Sequence, residues 1–167
     1  MSIVDSILPE LEQEAATTKR VLERVPTDKL DYRPGAKAMT LGQLAYHVAT
    51  IPGGIASFLN LDTFEVPDYG EQPTAVSDAA ELLPLLDGSV AQAKALLSQW
   101  DDARMMQTFS VTNGGRTVLA APRIGVVRSI MLNHWYHHRG QLSTYLRALD
   151  VPLPSIYGPS ADENPFA

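Results

Sequence analysis

No cysteine occurs in the 167-residue chain. That absence removes disulfides, cysteine-ligated zinc, iron–sulfur clusters and a cysteine nucleophile together. Basic residues are scarce: 13 Lys and Arg stand against 19 Asp and Glu, a formal balance of −6. An acidic chain with no basic stripe repels phosphate backbones, so nucleic acid is not an expected partner. Long apolar runs are missing as well. No stretch approaches the ~20 residues that span a bilayer, so no membrane partner is expected. The opening stretch "MSIVDSILPELEQEAATTKR" carries acids early and lacks a basic region followed by an apolar one. It does not read as a signal peptide, and a cytoplasmic location is the expectation. Histidine is the last scarcity. There are four, and three of them fall within "NHWYHHRGQL", residues 133–142.

What the chain does have is ordinary globular composition, 45% apolar and 19% charged. Its length suits one domain over residues 1–167 with a sizeable core. Apolar residues recur at helical spacing along Ile7, Leu8, Leu11, Ala15, Leu22 and Val25, with Pro9 tolerated in a first turn if the helix begins near Ser6. "VPTDKLDYRPGAKAM" breaks this pattern with two prolines and a glycine and reads as a loop. Thr40 and Gln43 form a capping-box pattern before a second stripe of Leu41, Leu44, Val48, Ile51, Ile55 and Leu59. Pro52, Gly53 and Gly54 should bend this helix or admit a close neighbour. Residues 60–76 make a long connection. A third helix is expected to begin after Ser77 and run to Trp100, weakened and kinked by Pro84 and Gly88. In "QTFSVTNGGRTVLAAP", β-branched residues flank Asn113-Gly114-Gly115, which predicts a short hairpin. The longest helix follows, over about 122–149. Four amphipathic helices with no extended strand pattern predict an all-α four-helix bundle with a short irregular or hairpin insert before the last helix.

On the last helix His134 and His138 are four residues apart, so their imidazoles leave one face about 40° from each other. This spacing places two ring nitrogens on one metal, as in helical HExxH motifs, but the glutamate of that motif is absent. His47 lies on or beside the buried stripe of the second helix, where an imidazole needs a partner. If the two sites meet, His47, His134 and His138 could share one divalent ion and leave positions open, which is the catalytic rather than the closed structural arrangement. Zinc, nickel and iron all suit such a set. His137 reads as an ordinary, half-exposed histidine. Trp135 and Tyr136 read as packing at a helix or subunit contact, Gly140 as permitting close helix approach, and Arg139 as a salt-bridge residue. Gln141, one turn beyond His138, and Gln43 are the candidates for a supporting role beside the metal or for contact with substrate. Asp31, Glu81, Asp162 and Glu163 have no spacing that marks any of them as a general base.

"NHWYHHRGQLSTYLRALDVPLPSIYGPSADE" resembles the carboxy-terminal signature of the DinB/YfiT-like superfamily, with its H-x-x-x-H-R-G-Q core and "P-S-I-Y-G"-like tail. "VPTDKLDYRPGAKAMTLGQLAYHVATI" is similar to the family's loop and second helix, whose single histidine follows a "T-L-G-Q-L"-type start. Position 137, often Tyr in relatives, is His here. The resemblance implies an up-down-down-up four-helix bundle with the metal ligands at His47, His134 and His138. It further implies a thiol-dependent transferase or a hydrolase acting on a small electrophile, the thiol being a low-molecular-weight co-substrate such as bacillithiol or mycothiol. A homodimer is the expected assembly. The alternative is a non-catalytic, stress-related dimeric bundle that binds metal structurally.

Overall fold

A computed structural model describes residues 2–67 and 74–166 of the chain. The first helix, α1 (Ile3–Leu22), is opened by Ser2, whose side chain accepts from the Asp5 N–H while the Asp5 carboxylate accepts from the Ser2 N–H. This reciprocal cap satisfies two orphan donors. It starts the helix earlier than Ser6, so Pro9 lies in the second turn rather than the first. Helix α2 (Leu41–Leu59) begins at the expected Thr40–Gln43 capping box. Helix α3 (Leu82–Leu97) follows a 3-10 turn at Ala79–Glu81 that Asp78 caps. Pro84 therefore falls in the first turn of α3, where its missing N–H forfeits no helical bond.

A short helix, α4 (Asp102–Met106), precedes the insert. The last helical run comprises α5 (Arg123–Val126), a π-helical segment (Val127–Asn133) and α6 (His134–Ala148). The expected helix over 122–149 is thus one run with a widened middle.

The insert corrects the purely all-α expectation. Strands β1 (Thr63–Glu65), β2 (Thr108–Asn113) and β3 (Arg116–Pro122) form a small sheet in the order β1-β2-β3. β2 and β3 are the expected hairpin, antiparallel, with Asn113 opposite Arg116. Gly114 and Gly115 make its turn at φ +57° and +76°, the left-handed region that glycine enters without strain. β1 pairs in parallel with β2, Phe64 facing Val111. Such a short strand, paired with a distant partner, leaves no local period to read. Residues 68–73 of the connection lie outside the described residues.

Buried Arg123 fastens the sheet to the bundle. Its guanidinium donates to the carbonyls of Leu59 (3.0 Å) and Leu61 (2.7 Å) and to Asp62 (3.1 Å). Its own N–H reaches the Gln107 carbonyl. Its guanidinium also reaches the Thr108 carbonyl at 3.4 Å, so the end of α2 and the start of β2 are held by one residue. The core runs between the helices, with Ile7 and Leu11 of α1, Leu44 and Val48 of α2, Leu86 and Ala93 of α3, and Leu142 and Leu146 of α6 all buried. Between α2 and α3 the backbones approach closely: the Gly53 N–H donates to Ser89 Oγ at 2.8 Å. A Cβ at position 53 would lie 2.8 Å from the Ser89 carbonyl oxygen. Gly140, by contrast, has open space around it, so the close approach expected there is absent.

Candidate metal centre

His47 stands in the second turn of α2, His134 at the first residue of α6, and His138 one turn later. A buried hydrogen bond ties these helices together beside the histidines. Pro52 has no N–H to give the Val48 carbonyl, which in a regular helix is its partner. The indole Nε1–H of fully buried Trp135 fills that vacancy at 2.8 Å. Since Val48 follows His47 and Trp135 follows His134, this bond fixes both histidines against each other. Trp135 is therefore an internal pin between helices, one of the two roles its position suggested.

The three imidazoles converge. Nε2 of His47 and Nε2 of His134 are 3.4 Å apart. Ring centroids lie at 5.2 Å for His47–His134, 4.6 Å for His47–His138 and 4.5 Å for His134–His138. One nitrogen from each ring lies within 4.8 Å of the others. Two nitrogens each bound to a tetrahedral zinc at its usual distance stand ~3.3–3.4 Å apart, so the His47–His134 separation matches a shared ion. Gln141 Oε1 accepts from Nδ1 of His138 at 2.7 Å, which leaves the lone pair on Nε2. Nδ1 of His134 is buried and meets no hydrogen-bond partner among the described residues, while the Ile130 carbonyl one turn earlier favours the protonated ring. The donor set, one imidazole nitrogen from each of three histidines, fits a divalent transition metal.

The electrostatics agree with that donor set. Burial, then the charges that His138 and His134 would carry, push the His47 imidazole down to about 4. Burial likewise lowers His134 and His138. All three rings are therefore neutral at pH 7, the form that ligates metal.

His137 is exposed and stands outside the cluster, its ring 5.0 Å from that of His138. Gln141 is exposed and bonds the ligand ring itself. The Gln43 side chain accepts from the Thr40 N–H, within the cap of α2. Among the described residues no carboxylate joins the cluster. Glu81 is bound at the Ser77–Asp78 turn, Asp162 by Arg147 and Glu163 by Arg20. Arg139 is a buried ion pair with Glu14 at 2.6 Å, braced by Thr18 and by Tyr157 of the tail.

Beside the cluster opens a cavity of about 360 Å³ whose lining includes His47 and His134. Its walls come from α2, from the last helical run and from all three strands' vicinity, through residues such as Phe58, Phe64, Phe109, Val111, Leu119 and Ile130. These wall residues did not stand out in the sequence as functional. Alternation within "TFSVTN" was their only trace, since Phe109 and Val111 share one face of β2.

The sequence matches the family model described as DinB family over residues 1–164. The uncharacterized protein YrdA of Bacillus subtilis is 30% identical over 162 residues, covering 96% of this chain and 91% of its own. A DinB-like protein from Bacillus cereus, solved by crystallography, superposes with a TM-score of 0.71 at 20% identity, over 93% of this chain and 98% of that one. YfiT from Bacillus subtilis, described as a probable metal-dependent hydrolase with an unusual four-helix bundle topology, superposes with a TM-score of 0.65 at 18% identity. That match covers 89% of this chain and 88% of YfiT. Both structural likenesses concern the fold.

Proposed function

Since the chain belongs to the DinB family, we propose that it is a divalent-metal-dependent enzyme acting on a small electrophilic substrate, with His47, His134 and His138 holding the ion. The observation that carries this reading is the convergence of three neutral imidazoles from two helices. An ion held there supplies Lewis acidity: it polarises an electrophile and favours the deprotonated form of a small nucleophile. The chain's own residues do the positioning. Gln141 fixes the tautomer and orientation of His138. The Trp135–Val48 bond holds His134 against His47. Hydrophobic walls beside His47 and His134 give the ion an apolar flank.

Water is the nucleophile we favour, in line with the description of YfiT as a metal-dependent hydrolase. Transfer of a thiol is the sibling reaction at the same ion. With no cysteine in the chain, that thiol would be a separate low-molecular-weight co-substrate.

The test is a metal count on untagged protein by inductively coupled plasma mass spectrometry. Close to one zinc, nickel or iron per chain is expected, lost in His47→Ala and His138→Ala and kept in His137→Ala. Protein that takes up no ion even after titration with zinc and nickel would sink the proposal. Turnover of electrophilic esters and epoxides with and without added thiol then separates hydrolysis from transfer.

A further inference from the structure

The cavity beside the histidines has an uneven chemistry. It reaches His47 and His134, while His138 is not part of its lining. Among the described residues every other one in the lining is apolar. The rings of Phe58 and Phe64 stack at 4.1 Å and 19°. Phe58 and Ile130 are both partly open to solvent, so a way in exists on that side. The sheet forms one wall because alternate residues of a strand face opposite ways: Leu119 lines the cavity, whereas its neighbour Val118 is 59% exposed.

A charged or strongly polar group moved between these walls would lose its hydration and, among the described residues, find no partner except the two imidazoles. An apolar group would gain by leaving water. At about 360 Å³, the space is at the small end of the ~300–1,000 Å³ typical of ligand sites. We infer that this cavity is the specificity subsite: it takes an uncharged, compact apolar group of the substrate, a branched aliphatic chain or a single aromatic ring, and delivers the attached polar head to His47 and His134. Leu119 and Val111 set its depth. The assignment of the polar head rests on the metal-enzyme reading above, whereas the selection for an apolar group rests on the walls alone.

The first arm of the test needs no metal. The uncharged single-ring probe 4-fluorotoluene is titrated into metal-free protein and followed by its fluorine NMR signal. One site per chain is expected, with neutral benzyl alcohol displacing the probe at least tenfold more effectively than benzoate. Leu119→Trp, which fills the cavity, should weaken the probe tenfold or more, and Val118→Trp on the opposite face should leave it within twofold. Val111→Phe is the second filling variant, with the same expectation, should Leu119→Trp fail to fold. Absence of binding, indifference to both filling variants, or equal displacement by benzoate would each overturn the inference.

The second arm uses zinc-loaded protein and straight-chain hydroxamates from acetyl to hexanoyl. Affinity should rise about fourfold per methylene in wild type and stay flat in the filling variants. Hydroxamates that bind with no dependence on chain length overturn the inference and leave the metal site standing. Probe binding without zinc uptake does the reverse.

Discussion

One exposed amide decides which nitrogen of His138 carries the proton. Gln141 offers its oxygen to Nδ1, so the lone pair of Nε2 is directed toward His47 and His134. A ring relieved of that bond would swing about its side-chain torsions and spend part of its time turned away. Loss of such a partner weakens metal binding by ~10–100-fold in comparable sites. For Gln141→Leu we expect about a tenfold weaker zinc affinity, near the low end because the position is exposed and water can replace the amide. Competition with a chromophoric chelator measures it, and an unchanged melting temperature shows the fold intact. His137→Ala should leave the affinity as it is, since that ring stands outside the cluster. An equal loss in both variants would mean that the effect is general surface electrostatics and not the tautomer.

Two adjacent glycines of α2 illustrate how differently one residue type behaves along an element. At Gly53 an added Cβ would press on the Ser89 backbone at 2.8–3.0 Å, and backbone cannot step aside. At Gly54 nothing lies within 4 Å. Gly53→Ala should therefore destabilise by roughly 1–3 kcal/mol, the usual range for overpacking, despite the better helix propensity of alanine. Gly54→Ala should stabilise by up to ~1 kcal/mol through that propensity alone. Urea denaturation of the two variants reads the opposite signs directly. The "PGG" run signalled this close approach in the sequence, but not which glycine it used or that Ser89 is the neighbour. Legibility follows the same line elsewhere. Caps at Thr40, the hairpin turn at Gly114-Gly115 and the helical faces of His47, His134 and His138 are local patterns, and all were readable. The parallel pairing of β1, the burial of Arg123 beneath the sheet and the Trp135 bond to a carbonyl released by Pro52 each join distant parts of the chain. No window of sequence contains both partners, so those features, and with them the cavity walls, had to come from the fold.

Across the molecule, the neutral histidine cluster links stability to pH and to metal. The unfolded chain takes up protons on these rings near the ordinary value of 6.5, whereas folded His47 resists until about 4, and His134 and His138 are lowered too. Between those limits the unfolded state binds more protons, so unfolding is favoured as pH falls. The full linkage is ~1.4 kcal/mol per pH unit, but solvent reaching these half-buried rings screens it. A loss on the order of 1–2 kcal/mol by pH 4 is left for His47. Metal-free protein should therefore show a urea midpoint that declines from pH 7 to pH 5, with a shallower decline in His47→Gln. The exposed carboxylates held low by their partners, Asp162 by Arg147 and Glu163 by Arg20, enter only at lower pH, which keeps this window clear for histidine. Zinc should raise the wild-type midpoint at pH 7, because an ion bound only by the folded state stabilises it by ~2.7 kcal/mol at a hundredfold excess over Kd. Acid should erase that gain as protons compete for the same nitrogens. A midpoint flat from pH 7 to pH 5 in metal-free wild type would mean that the rings are solvated well enough to titrate as in the unfolded chain. A zinc response undiminished in His47→Gln would place the ion elsewhere in the molecule. Either result would break the connection between the geometry of the cluster and the stability of the bundle that carries it.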